Sequence, residues 1–182
     1  MKRIFFLAAM LCLSAAAAFA QTKPIDFSGS WMLDIPKSQI NERMRIDGMN
    51  MTVAQTEKEL KVTTETKRQA PPADAAANPN PPGRGTGRGF GDGTVAYSLD
   101  GKETVVEVEG PNGKMPIKYM AKLEPGKANL SSTRSLSGPQ GDITITTKDA
   151  WSLSADGKTL TVVREQSSPR GTATSTLVFV KN

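Results

Sequence analysis

The chain has 182 residues, 23 lysines and arginines against 18 aspartates and glutamates, one cysteine and no histidine. Without histidine, Ser-His-Asp triads and histidine metal sites are excluded. The mild positive balance is scattered rather than gathered into a stripe, so no nucleic-acid partner is expected.

In chain order, the first feature is MKRIFFLAAMLCLSAAAAFAQ. Lys2 and Arg3 precede an apolar run from Ile4 to Leu13, and small residues close on Ala18-Phe19-Ala20. This is the pattern of a Sec-type signal peptide, residues 1–20, cleaved after Ala20, and it predicts a periplasmic or secreted protein. The run is shorter than the roughly 20 residues a membrane-spanning helix needs, and the sequence offers no other candidate, so the mature chain is expected to be soluble. Cys12 lies inside the leader, and Ala9-Met10-Leu11 lacks the small residue expected directly before a lipidated cysteine. The mature chain, 21–182, therefore has no disulfide and must hold together by its core, as one domain of ordinary size. The leader takes two of the 23 basic residues and none of the acidic ones, leaving 21 against 18.

Ten short alternating segments follow, near 27–34, 50–56, 60–67, 94–99, 103–109, 115–123, 128–137, 143–153, 158–166 and 172–181. Most are separated by turns built on Gly with Asp, Asn or Pro, such as Asp100-Gly101-Lys102 and Asp156-Gly157-Lys158. Short strands joined by tight turns predict an all-β antiparallel up-and-down meander of about eight to ten strands, closing on itself to remove its edges. At most one short helix is expected, after Pro36 in KSQINERM. YSLDGKETVVEVE and WSLSADGKTLTVVRE echo each other and suggest one hairpin design used twice. Gln69 to Gly93 is rich in Pro, Ala and Gly, nearly lacks large apolar residues, and is expected to be a disordered insertion. Its glycines match neither dinucleotide nor phosphate-loop spacing.

Catalytic parts are scarce. No Ser-x-x-Lys, Gly-x-Ser-x-Gly or calcium-loop pattern occurs, so no enzyme activity, cofactor or metal is expected. Glu103, Glu107 and Glu109 share strand parity opposite Val106 and Val108, which reads as a solvated face. The same alternation turns Met115, Ile117, Tyr119, Ala121 and Leu123 inward. It also places Arg134 with Leu130 and Leu136, Asp149 with Ile145, Thr147 and Trp151, and Arg164 with Leu160 and Val162.

Charges on inward faces must be paired, hydrogen-bonded or open to water. One reading pairs Asp149 with Arg134 or Arg164. The other has Arg134, Arg164 and Tyr119 or Tyr97 receive an anionic head group, because the planar guanidinium grips a carboxylate at two points.

Gly29-Ser30-Trp31, opening the first strand, resembles the G-x-W motif of lipocalins. FSGSWMLD with Pro36-Lys37-Ser38, WSLSADGKTL and the strand-final VFVK also look like secreted bacterial lipocalin-like (calycin-like) proteins, over most of the mature chain apart from 69–93. A Thr-Asp-Tyr motif is missing. The resemblance implies a lipocalin-like barrel in which Trp31 packs at the closed end, under a cation from Lys181 or Arg164. Gly29, on the same face, would leave room for a neighbour to cross. The resemblance also implies a carrier of small ligands. The sequence thus predicts non-catalytic binding of a small hydrophobic or amphipathic, fatty-acid-like molecule inside the barrel, with Arg134, Arg164, Tyr119, Tyr97 and Asp149 as candidate contacts. The alternative is a structural or interaction module of the cell envelope with a packed core.

Overall fold

A computed structural model describes residues 25–40, 45–69, 92–110, 113–138 and 141–182. The expected signal peptide, residues 70–91 of the expected insertion, and 41–44 of the expected helix lie outside the described residues. Gln69, Asp92 and Gly93, the flanks of that insertion, have defined contacts. Gln69 N–H donates to the Arg45 carbonyl, Asp92 Oδ1 accepts from Thr66 N–H, and Gly93 opens a strand.

All ten expected strands form: β1 Gly29–Leu33, β2 Ile46–Gln55, β3 Glu59–Arg68, β4 Gly93–Ser98, β5 Thr104–Gly110, β6 Gly113–Glu124, β7 Lys127–Gly138, β8 Gly141–Leu153, β9 Thr159–Ser168 and β10 Gly171–Lys181. They make one antiparallel sheet in the order β4-β3-β2-β1-β10-β9-β8-β7-β6-β5. Pairing of β1 with β10, Trp31 opposite Lys181 and Leu33 opposite Phe179, curls the sheet into a nearly closed barrel. The break lies between β4 and β5. Across it the rings of Tyr97 and Tyr119 meet edge to face, 5.5 Å apart at 81°.

After β1 there is a 3-10 turn, Ile35–Lys37, and residues 38–40 are not helical. Asp34 caps it by accepting from Lys37 N–H, and Pro36 fits the first turn, where no amide is needed. Gln39 then bridges Thr176 of β10, so the backbone is already extended before residue 41. Among the described residues no helix is long and apolar enough to cross a membrane.

Burial follows strand alternation and sorts the barrel into two ends. At one end Phe27, Trp31, Leu60, Leu160, Leu177 and Phe179 are almost fully buried. Along β10, exposure of the inward positions rises from Phe179 and Leu177 through Ser175 to an exposed Ala173, so the barrel opens at the other end. Gln55 fastens the closed end: its side chain accepts from Phe27 N–H at 3.0 Å and donates to the Ile25 carbonyl at 2.8 Å, while its backbone N–H donates to Ser28 Oγ.

Trp31 sits in this end, its Nε1–H bonded to the Phe27 carbonyl at 3.0 Å. Lys181 supplies the cation above it, with Nζ 5.2 Å from the ring centroid. Such a contact contributes about 0.5–2 kcal/mol. Gly29 explains how Lys181 gets there: a Cβ at residue 29 would lie 2.7 Å from Lys181 Cε, and its φ of +144° disfavours other residues.

Candidate ligand-binding cavity

Above the closed end lies a cavity of about 150 Å³. Strand register decides what faces it. On β8 the inward positions run Trp151, Asp149, Thr147, Ile145, and β9 sets Val162, Arg164 and Gln166 opposite the first three. On the other side β7 sets Leu130, Ser132 and Arg134 opposite Asp149, Thr147 and Ile145. β6 adds Tyr119 opposite Ser132, and Ile117 opposite Arg134. The far wall, from β2, β3 and β10, is apolar and includes Met51, Val62, Leu177 and Phe179. One wall is therefore greasy and the other carries hydroxyls, an amide and charges.

All five sequence-predicted contacts, Arg134, Arg164, Tyr119, Tyr97 and Asp149, line this one space. They do not stand alike. Arg164 uses its fork on the protein itself: Nε donates to Asp149 Oδ1 at 2.6 Å and Nη2 to Oδ2 at 2.5 Å. Asp149 is 7% exposed. The Arg164 side chain keeps 22% of its surface, so the pair is desolvated mainly on the aspartate side. This bidentate arrangement balances one positive charge against the negative one. The residues lining the cavity include two guanidiniums and one carboxylate.

Arg134 lies on the neighbouring strand, half-buried, one layer from Tyr119. Burial pulls its guanidinium below the ordinary value, and Tyr119 acts in the opposite direction. A guanidinium starts so high that it stays charged at neutral pH. Burial pushes the Tyr97 hydroxyl well above the ordinary phenol range, helped by the Asp149 charge and opposed by Arg164. Burial likewise raises Tyr119, with Arg134 opposing. Both phenols are therefore neutral around pH 7, each with a proton to donate and lone pairs to accept.

Alternation also marks residues that were not singled out. Gln166 has the parity of Arg164, and Ser132 that of Arg134, so both could have been found by extending the same count. The hydrogen-bonding state of Trp151 could not. Its parity reads as core, and only the packed neighbours show that its Nε1–H meets no acceptor among the described residues. The glutamates Glu103 and Glu107 point outward to Lys118 and Lys114, at 3.0 and 3.7 Å, away from the cavity.

No protein-family model matches the sequence, and no match is found among curated proteins. Among solved structures, the chain is similar to zebrafish ileal bile acid-binding protein complexed with cholic acid, at a TM-score of 0.48 and 18% identity, covering 86% of this chain and 98% of that one. It is also similar to the fatty-acid-binding protein isolated from Manduca sexta, at a TM-score of 0.40 and 12% identity, covering 85% and 99%. The fold of this chain is defined by its own strand order and register: an all-β antiparallel meander of ten strands curled into a nearly closed barrel.

Proposed function

We propose that the barrel is a non-catalytic binding protein for one small amphipathic acid, fatty-acid-like in having an anionic head and an apolar body. The observation that supports this is the divided lining. Apolar side chains of β2, β3 and β10 face a wall that bears Arg134, Tyr119 and Tyr97. In this reading the acid's head group lies on Arg134, with the phenols as neutral donors, while Arg164 stays with Asp149. Apolar atoms leaving water for the opposite wall contribute roughly 25 cal/mol per Å² of area buried.

Volume limits the guest. The cavity measures about 150 Å³. An apolar cavity of about that volume accommodates benzene, and pockets for larger drug-sized ligands run from about 300 Å³. A short-chain or single-ring acid fits the space as it stands. In this reading the leader-like pattern of residues 1–20 supports binding outside the cytoplasm, which fractionation of the expressing cell would check.

The test is a calorimetric titration of the mature chain with hexanoate, octanoate and benzoate, alongside native mass spectrometry for a co-purified adduct. Saturable one-to-one binding is expected. Arg134→Gln should weaken it about 10- to 100-fold, the worth of a hydrogen bond to a charged group. Absence of saturable binding by any of the three acids would sink the proposal, and so would unchanged affinity in Arg134→Gln.

A further inference from the structure

The cavity keeps three polar side chains that the fold does not spend. Ser132 on β7, Thr147 on β8 and Gln166 on β9 stand directly opposite one another in register, at one level of the barrel, and all three line the cavity. Each is half-buried. Among the described residues, the side-chain polar atoms that are both sealed off and unpartnered are Thr66 Oγ1 and Trp151 Nε1. The hydroxyls of Ser132 and Thr147 and the Gln166 amide have no partner among those residues either, yet they are not sealed, so they reach open space. The outer face of the same strands shows the ordinary solution. There Thr133 and Thr146, also directly opposite, share a hydroxyl contact at 3.4 Å. One level deeper in the cavity, Asp149 and Arg164 are spent on each other.

Position and direction narrow the chemistry. Arg134 lies two residues from Ser132 along β7, about 7 Å, and Thr147 is its diagonal neighbour across β7 and β8, a separation that long side chains bridge. A guest group that this arc receives is therefore close to a head group on Arg134. Hydroxyls and a primary amide each offer a donor and an acceptor. They stand on one wall, and the wall opposite, with Met51, Val62 and Leu177, offers neither. The guest's polar group must complete its bonds from one side. An amide sends its N–H and its carbonyl in opposite directions and leaves one of them against apolar side chains. A carbonyl uses the donors alone. A hydroxyl gives and accepts through a single oxygen, so one wall satisfies it.

Resting on the small-acid reading, we propose that the acid carries a hydroxyl on its second or third carbon, received by Thr147 with Ser132 and Gln166 on either side, so that the cavity selects 2- or 3-hydroxy acids over unsubstituted ones. Thr147 is then a specificity-determining contact beside the head group. Placement of the hydroxyl matters. At the far end of the chain it lies beyond the arc, against the apolar wall, where a buried hydroxyl without a partner is costly.

The experiment compares octanoate with 2-, 3- and 8-hydroxyoctanoate by calorimetric titration of the full mature chain. The 2- or the 3-hydroxy acid is expected to bind about three- to tenfold tighter than octanoate, the worth of one added hydrogen bond, and the 8-hydroxy acid no tighter. Thr147→Val nearly keeps the shape, suits a strand and loses the hydroxyl. In that variant the ratio of hydroxy-acid to octanoate affinity should fall toward one, and a melting curve checks that it folds. If it does not fold, the parent chain's ratios decide. Equal binding of octanoate and its 2- and 3-hydroxy derivatives, an equal gain by the 8-hydroxy acid, or an unchanged ratio in Thr147→Val overturns hydroxyl selection by this arc and leaves the small-acid reading standing. Failure of all four acids to bind overturns both.

Discussion

Two turns of this barrel are nearly the same and do opposite things. Ser98-Leu99-Asp100-Gly101-Lys102 and Ser154-Ala155-Asp156-Gly157-Lys158 each let the serine hydroxyl and the lysine backbone N–H donate to one aspartate oxygen. Their glycines take φ of +77° and +67°. The second turn closes the β8–β9 hairpin, with Ser154 N–H bonded to the Thr159 carbonyl at 2.8 Å and Leu153 opposite Leu160. The first joins β4 to β5, which do not pair. Leu99 N–H instead donates to the Lys58 carbonyl, holding the chain against β3, and Tyr97 reaches over to Tyr119 of β6. Turn chemistry reverses the chain; what lies on the flanking strands decides whether the two arms meet. Trp151, Leu160 and Val162 bury the arms of the closed hairpin, whereas Val105 and Val106 beside the gap are 55% and 40% exposed.

The sharpest way to break this comparison is to cut an apolar side chain from each region. Leu160→Ala, at a residue with no exposed surface, should cost about 2–5 kcal/mol in denaturant unfolding. Val106→Ala, on an edge strand and 40% exposed, should cost less than about 1 kcal/mol. Similar costs at the two sites would mean that the gap is as well packed as the hairpin.

Next in size is the ion pair that ties β8 to β9. Asp149→Asn keeps the shape and leaves Arg164 without its counter-charge. Breaking a fully buried pair costs about 3–5 kcal/mol. Because the Arg164 side chain keeps 22% of its surface in contact with water, about 2 kcal/mol is expected here, measured as the shift of the urea midpoint. A loss below about 0.5 kcal/mol would show that the pair contributes charge balance to the cavity and little to the closed side of the barrel.

Strands were legible because their signal is local. Alternation in MPIKYMAKL and the Gly-containing turns needs no partner to be read, so all ten strands and the inward set of Arg134, Asp149 and Arg164 came from period two alone. The break between β4 and β5 was not legible, since the echo of the two Asp-Gly-Lys turns argued for two hairpins, and only the Tyr97–Tyr119 contact shows what replaces the ladder. The partner of Asp149 was similarly open: parity admitted Arg134 or Arg164, and register chose Arg164 by setting it directly opposite. Residues 38–40, part of the stretch after Pro36 where a short helix was possible, are not helical because the chain there is recruited by β10, through Gln39 and Thr176, a long-range pairing that local propensity cannot see.

Across the gap the ring contact itself can be removed. Tyr97→Leu keeps apolar bulk near Leu60 and loses the edge-to-face geometry, worth about 0.5–1.5 kcal/mol beyond burial. The expected loss is about 1 kcal/mol, and it should be local. Amide exchange should quicken in β4 and β5 while β8 and β9 keep their protection. Uniform quickening over all four strands would mean that the tyrosines support the whole barrel rather than its break.

The smallest effect separates the two turns by pH. Hydrogen bonds from Ser98 and from the Lys102 backbone pull the Asp100 carboxyl down to about 2, from an ordinary 3.8. Asp156 is lowered in the same direction, chiefly by Ser154. A carboxyl whose value is depressed in the folded chain supports the fold fully above its unfolded value, and that support is lost as pH falls through the folded one. The window for Asp100 therefore runs from about 4 down to about 2. Both carboxylates are solvent-exposed, so the readout is the amide proton shift of Lys102 and Lys158 rather than global stability. Lys158 belongs to a turn also held by Ser154 N–H on the Thr159 carbonyl, Gly157 N–H on the Ser154 carbonyl and Thr159 N–H on Ser154 Oγ. Around Asp100, residues 99–103 have no matching set of bonds among the described residues. On acidification the Lys102 shift should travel to its unfolded value with a midpoint near 2, while residues 154–159 keep their native shifts apart from the Lys158 amide itself. If the whole 154–159 turn lost its native shifts together with Lys102, the aspartate would be the principal hold in both turns, and the hairpin would owe its closure to the carboxylate instead of to the strands on either side.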